Sequence, residues 1–247
     1  WDRDQALFVA NDFGQFHVPN QFYVLNAFTS AVSNPSAING LDVGMYGMGI
    51  AQGDYDHDSD LDYYITDIGP NKLMNLDWAS GVYRDTAAFA GVRNGTLQGL
   101  NTTGWGTAFF DYDNDTWPDL YACNGQITVV PFIANVALDP DKLYHNNGNG
   151  TFADVTMAQG IADSGWGRGM IVGDYDLDGD EDVLTMVIHH DTLSGEHSKL
   201  WRNDQNTGNH YVNLRLEGTH FNAKDPFGAY LLISTPSESW IDRKSVV

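Results

Sequence analysis

The chain has 247 residues, 42% of them hydrophobic and 13% aromatic. That is enough apolar material to bury a core and too much for a disordered chain. A formal net charge of -21 with no basic cluster excludes a nucleic-acid-binding surface. No stretch approaches the roughly 20 apolar residues of a membrane-spanning helix. The one cysteine, Cys123, excludes an intrachain disulfide and is expected as a small buried residue.

In chain order, the sequence Leu7-Phe-Val-Ala-Asn predicts a strand, and Asn20-Gln-Phe-Tyr-Val a second. Residues 27–43 are polar, carry Asn34-Pro35 and predict a loop. A glycine pair, Gly47 and Gly49, then leads into Asp54-Tyr-Asp56-His-Asp58-Ser-Asp60-Leu-Asp62. The same design returns as Gly104 and Gly106 before Asp111-Tyr-Asp113-Asn-Asp115-Thr-Trp117-Pro-Asp119. It returns again as Gly167 and Gly169 before Asp174-Tyr-Asp176-Leu-Asp178-Gly-Asp180-Glu-Asp182. A β-rich segment follows each loop, and then a strand built on Lys72-Leu-Met, Lys142-Leu-Tyr or Lys199-Leu-Trp. A further strand is expected at Tyr83-Arg-Asp and at Phe152-Ala-Asp. Residues 125–140 form an apolar insertion suited to a contact.

The three acidic loops hold 15 of the 33 acids. Like charges about 4 Å apart repel by roughly 1 kcal/mol even in water, so such crowding calls for a cation. Calcium takes 6–8 oxygens at about 2.3–2.6 Å, from carboxylates, backbone carbonyls and water. Counting the first aspartate as position 1, carboxylates at positions 1, 3, 5 and 9 and a carbonyl at position 7 supply that shell. The expected ligands are Asp54, Asp56, Asp58, Asp60 and Asp62 in the first loop. In the second they are Asp111, Asp113, Asp115, Trp117 and Asp119, and in the third Asp174, Asp176, Asp178, Asp180 and Asp182. About three Ca2+ ions are expected, moving the formal charge from -21 to -15. Position 6 calls for a sharp turn, which suits Gly179 better than Ser59 or Thr116. An EF-hand is rejected: it needs Glu at position 12, where Ile65, Ala122 and Thr185 stand, and helices on both sides. Crowded acids could also serve a glycosidase or lyase, but their repeated register describes a metal cage.

The loops begin 57 and 63 residues apart. A unit of about four short strands with that period reads as a β-propeller blade, the glycine pairs letting neighbouring blades approach closely. The expected fold is all-β: blades over residues 1–208, the first incomplete, and a β segment without a calcium loop over 209–247. In this register the chain begins inside a blade, with Asp2 and Asp4 the remains of a degraded metal loop. Strands are expected over 209–218, at Phe227-Gly-Ala-Tyr-Leu-Leu-Ile-Ser and at Trp240-Ile-Asp-Arg.

The Gly-Trp-Gly, Asp-Tyr-Asp-x-Asp and Asp-Leu-Tyr pattern, with the turn Asn147-Gly-Asn-Gly-Thr-Phe, resembles the FG-GAP/VCBS repeats of integrin-α-type propellers. The segment from Asn209-His-Tyr to Phe227-Gly-Ala is similar to the start of the ASPIC/UnbV segment of cartilage-acidic-protein-like proteins. The resemblance implies calcium in the blades, a truncated β segment over 209–247, an extracellular or cell-surface location, and binding or adhesion in place of catalysis.

Other signals carry less. His189-His190-Asp191 offers a transition-metal site, but neighbours on a strand point to opposite faces. Asn94, Asn101, Asn114 and Asn149 head Asn-x-Ser/Thr sequons, of which Asn94 and Asn101 suit glycosylation. Trp105 and Trp166, beside the glycine pairs, fit packing between blades better than sugar stacking. The function expected is that of a calcium-binding module for a protein or glycan ligand. Two alternatives stand beside it: a self-assembling subunit joined through open β edges, and the scaffold of a polysaccharide-acting enzyme.

Overall fold

The computed structural model describes residues 5–127, 134–188, 197–205, 207–212, 214, 216–217, 230–236 and 239–243. The described residues are all-β apart from two one-turn helices. Sheet I holds β1 (Gln5–Val9), β2 (Gln21–Leu25) and β3 (Val32–Ser33), and α1 (Ser36–Asn39) follows it. Sheet II holds β4 (Ile50–Gly53), β5 (Asp62–Ile65), β6 (Lys72–Asp77) and β7 (Val82–Asp85). After α2 (Ala87–Ala90) comes a small hairpin of β8 (Thr96–Leu97) and β9 (Leu100–Asn101). Sheet III holds β10 (Gly104–Phe110), β11 (Asp119–Asn124), β12 (Lys142–Asn146) and β13 (Phe152–Asp154). Sheet IV holds β14 (Gly167–Gly173), β15 (Asp182–Val187) and β16 (Lys199–Trp201). Each sheet is an antiparallel meander in sequence order. The tail supplies one hairpin, β17 (Tyr230–Ser234) with β18 (Ser239–Arg243).

One turn is built the same way four times. The residue before the lysine, or before Gln21 in sheet I, accepts a backbone N–H from the end of the preceding strand. Asn20 takes that of Asn11 at 2.9 Å, Asn71 that of Asp67 at 2.9 Å, Asp141 that of Asn124 at 2.6 Å and Ser198 that of Val187 at 3.3 Å. Sheet I is thus the same unit as the other three, in the register expected from sequence.

The sheets stack face to face, and alternation along the strands decides what each face meets. Tyr63, Ile65 and Met74 of sheet II face sheet I and pack with Phe8 and Phe22. The intervening Tyr64, with Ala51 and Leu73, faces sheet III and packs with Leu120, Ala122 and Tyr144. Tyr121, Cys123 and Leu143 of sheet III in turn meet Met170, Val172, Val183 and Trp201 of sheet IV. β5 and β11 are therefore buried on both faces, which explains their nearly continuous apolar sequence. Cys123 is fully buried, and burial pushes its thiol well above the usual range.

The glycine pairs stand where neighbouring sheets touch. A Cβ on Gly49 would lie 2.2 Å from the Trp105 carbonyl oxygen, and one on Gly106 2.9 Å from the Met170 nitrogen. Trp105 bridges the same seam: its Nε1 donates to the Gly125 carbonyl at 2.8 Å, and the Arg168 guanidinium lies 4.0 Å from its ring centre. Trp166 is buried.

One expectation is corrected. Among the described residues of 209–218 none lies in a strand. Thr207 and Asn209 instead donate to the Asp113 carbonyl, both at 3.0 Å, which draws the chain across the second acidic loop. The strands expected around 230 and 240 are present as β17 and β18. Asp2, Asp4, His189, His190, Asp191 and the middle of the 125–140 insertion lie outside the described residues. Among the described residues no helix is long and apolar enough to cross a membrane.

Candidate metal centre

Each acidic loop joins the first two strands of its sheet: β4 to β5, β10 to β11 and β14 to β15. Backbone N–H groups fold the three loops alike. At position 1, Asp54 accepts from Ser59 at 3.1 Å, Asp111 from Asp115 and Thr116 at 3.0 and 2.8 Å, and Asp174 from Asp178 and Gly179 at 3.1 and 3.0 Å. At position 5, Asp58, Asp115 and Asp178 accept the N–H two residues on, at 2.9–3.1 Å. At position 9, Asp62, Asp119 and Asp182 accept the N–H of Leu76, Asn146 and Asn203 at 3.0, 2.7 and 2.8 Å. Those three donors each lie four residues after the strand lysine.

The turn is tight enough to need left-handed backbone twice. At position 4, φ is 57° at His57, 56° at Asn114 and 62° at Leu177. At position 6 it is 72° at Ser59, 80° at Thr116 and 98° at Gly179. Only Gly179 adopts this without steric penalty; for a β-branched residue such as Thr116 it is a true outlier. The expectation of a glycine-like turn at position 6 holds in all three loops, and position 4 adds a second such turn.

The loops gather oxygens as a cation would require. Asp54, Asp56 and Asp58 bring ligand atoms within 4.8 Å of one another, as do Asp111, Asp113 and Asp115, and Asp174, Asp176 and Asp182. In the first two loops several carboxylate oxygens, those of Asp60 and Asp62 outside these clusters included, are buried without a hydrogen bond: Asp56 Oδ1, both oxygens of Asp60, Asp62 Oδ2 and Asp113 Oδ1. Burial is the main cause that raises the carboxyl pKa values, and neighbouring aspartates add to it. Asp56 and Asp111 rise to about 6, Asp60 to about 7, and Asp62 and Asp119 to about 9. Asp113, Asp176 and Asp180 are raised as well. Asp176 is exposed, whereas the buried acids of the first two loops raise one another's pKa, an arrangement a divalent cation relieves by holding them ionised. Asp180 in the third loop instead accepts Asn114 Nδ2 at 2.6 Å through Oδ1. Nothing in the geometry assigns the carbonyl of Trp117.

Contacts between loops were not legible in sequence. Asn146 Nδ2 donates to the carbonyl of Tyr55, at position 2 of the first loop, at 2.8 Å. Asn203 Nδ2 donates to the matching carbonyl of Tyr112 in the second loop at 2.6 Å. Position 4 of one loop also meets position 7 of the next: His57 stacks on Trp117 with ring centres 3.9 Å apart, and Asn114 bonds Asp180. A further residue missed from sequence is His145 on β12, whose Nδ1 lies 3.4 Å from Asp113 Oδ2 and 3.3 Å from Asp119 Oδ1.

A cleft of 250 Å³ between sheets III and IV is lined by Phe110, Leu143, Ile161, Val183 and Trp201. Glu181 and Asp204 are its acids, and Asp204 is paired with Arg202 at 2.8 Å.

Fold and site together define a chain of repeated antiparallel sheets, three of which join their first two strands through an acidic loop. Residues 132–185, which include the third loop, match the sequence model of an FG-GAP-like repeat. The chain is also similar to cartilage acidic protein 1 of Mus musculus, 29% identical over 130 residues that make up 49% of this chain. The match spans 17% of that relative's length.

Proposed function

We propose that sheets I to IV are blades of a β-propeller, and that loops 54–62, 111–119 and 174–182 each hold a calcium ion through the aspartates named above. Residues 1–208 form the propeller part and 209–247 a separate β segment. The observation that carries the calcium reading is the set of buried carboxylate oxygens without hydrogen bonds in the first two loops, whose N–H groups at Ser59 and Thr116 are already committed to the position-1 aspartates; the third loop follows by its identical folding. An all-oxygen shell suits calcium better than magnesium, which keeps its waters. When bound, calcium would supply charge and rigidity; the chain's own residues supply the frame, since the β5, β11 and β15 ends carry position 9 and fix each loop to its sheet. The similarity to an FG-GAP-like repeat supports the same reading.

The function is binding or structural. Ligated carboxylates stay ionised and cannot donate protons near neutral pH. The setting is extracellular or at a cell surface, where calcium is abundant, and the ligand is a protein or a glycan held by surface loops. A glycan and protein array probed with and without calcium, beside a hydrolase and lyase panel, tests this. Calcium-dependent binding without turnover is expected; turnover abolished by one acid outside the loops contradicts it.

A second reading, self-association, has its own observation. Ile171, Met186 and Leu200 are 46%, 47% and 49% exposed. The residues at their positions in sheet III include Cys123 and Leu143, which are buried against sheet IV. Leu7, on the opposite face of sheet I, is 61% exposed. A second copy could join these two faces head to tail. Light scattering across a concentration series tests it: Leu200→Lys should abolish any dimer, and a monomer at all concentrations rules the reading out.

A further inference from the structure

The residue three positions after the strand lysine stands over each loop, and its chemistry differs from loop to loop. In sheet II it is Asn75, whose Nδ2 donates to Asp56 Oδ2 at 2.7 Å. In sheet IV it is Arg202, which pairs with Asp204. An amide nitrogen and a guanidinium donate protons and have no lone pair to offer a cation. In sheet III it is His145, and a neutral imidazole nitrogen is a metal ligand.

The position of His145 fits that role better than a hydrogen bond. Its Nδ1 is buried and makes no hydrogen bond. At 3.3 Å from Asp119 Oδ1 and 3.4 Å from Asp113 Oδ2 it lies beyond the usual N–H···O range of about 2.7–3.2 Å. Two ligands bound tetrahedrally to one ion at about 2.0–2.1 Å are about 3.3–3.4 Å apart, so both separations match the edges of such a site. The ligand atoms of Asp113, Asp119 and His145 all lie within 4.8 Å of one another, and Asp113 Oδ1 also lacks a hydrogen bond. Asp119 is fully buried and anchored by the Asn146 and Tyr112 N–H groups, so the cluster is held on β11 and β12 and not on the loop alone.

We propose that Asp113, Asp119 and His145 form a site for a transition-metal dication of the zinc class, placed in the second loop alone. This rests on the reading of the loops as cation sites and changes the ion that the second one prefers. Imidazole with carboxylates suits zinc, whereas calcium takes oxygen ligands. Three protein ligands leave one tetrahedral position for water.

The test uses the full 247-residue chain, stripped with a chelator and refilled in millimolar calcium. Zn2+ is titrated against a chromophoric chelator and Co2+ is followed by its visible absorption, in the wild type and in His145→Asn, the side-chain type that sheet II carries. The wild type should bind one Zn2+ more tightly than the variant by about 10–100-fold or more. Its tetrahedral Co2+ spectrum should vanish in the variant, while calcium at the first and third loops is unchanged. X-ray absorption on the zinc-loaded wild type should show imidazole and oxygen ligands, a readout independent of how the variant folds. Equal zinc affinity in both proteins, or a zinc shell without imidazole, overturns the proposal while calcium binding stands. Zinc bound through His145 with no calcium at any loop would instead overturn the calcium reading and leave this site in place.

Discussion

Asn146→Ala should break the joint between sheets II and III. The side chain is buried and makes three hydrogen bonds: Nδ2 to the carbonyls of Tyr55 at 2.8 Å and Pro118 at 2.9 Å, and Oδ1 from the Gly148 N–H at 3.0 Å. A hydrogen bond contributes about 0.5–1.5 kcal/mol net, and a buried partner left without one loses about 1–3 kcal/mol. Water entering the space recovers part of this, so about 3 kcal/mol is expected in total. For a chain of this length each kcal/mol lowers Tm by about 2–4 °C, giving a fall of roughly 6–12 °C. Differential scanning calorimetry measures it, and hydrogen exchange locates it: protection should drop around Tyr55 in the first loop although the substitution lies 91 residues away in sequence. Asn203→Ala removes the matching bond to Tyr112 from a half-buried position and should cause a smaller loss. A fall in Tm below about 3 °C for Asn146→Ala, or unchanged exchange in the first loop, would refute the idea that the loops are linked from sheet to sheet.

Three further outcomes are expected. Thr116→Gly relieves a β-branched residue at φ 80° on an exposed turn; the left-handed penalty of about 1–2 kcal/mol exceeds the extra chain entropy of glycine, about 0.5–1 kcal/mol. Its urea midpoint should rise, and a lower one would contradict the strain. Gly49→Ala places a Cβ 2.2 Å from the Trp105 carbonyl oxygen and should destabilise by about 1–3 kcal/mol in the same assay; an unchanged midpoint would mean the seam between sheets II and III is looser than described. Burial raises the Asp139 and Asp141 carboxyls to about 7, above their ordinary value, so the folded state favours their protonated forms. Their contribution is full below about pH 4 and is lost as pH rises through 7. Asp141→Asn, which copies Asn71 of sheet II, should therefore have a flatter stability profile than the wild type between about pH 4 and 7; parallel profiles would contradict the shift.

Much of the fold was legible because its signals are local. The strands around Leu120 and Leu143 alternate or run apolar over a few residues, and the strands that begin Lys-Leu repeat with the loops in one register. The aspartates of each loop lie within nine positions, so their convergence follows from spacing alone. His145 could not be found that way: it lies 26 residues beyond Asp119, on the next strand, and reaches the loop only through the pairing of β11 with β12. The lysine register offered the one available signal, since it places Asn75, His145 and Arg202 at a common position. The stacking of His57 on Trp117 and the bonds from Asn146 and Asn203 depend on how sheets stack, which no window within one unit reveals. The strand expected over 209–218 was misread because alternation there coincides with exposure: Tyr211, Val212 and Leu214 are all exposed. Without an apolar face to cover, alternation does not fix a strand.

Calcium content tests the central claim most directly. The chain, dialysed against a chelator and then against calcium, is analysed by elemental analysis beside calorimetric titration, for the wild type and for Asp56→Asn, Asp113→Asn and Asp176→Asn. Loss of a stoichiometric site in each variant, with a Tm that rises on adding calcium to the wild type, is the predicted result, because an ion that binds only the folded loops stabilises them. A wild-type chain that retains no calcium and melts at the same temperature with and without chelator would contradict it.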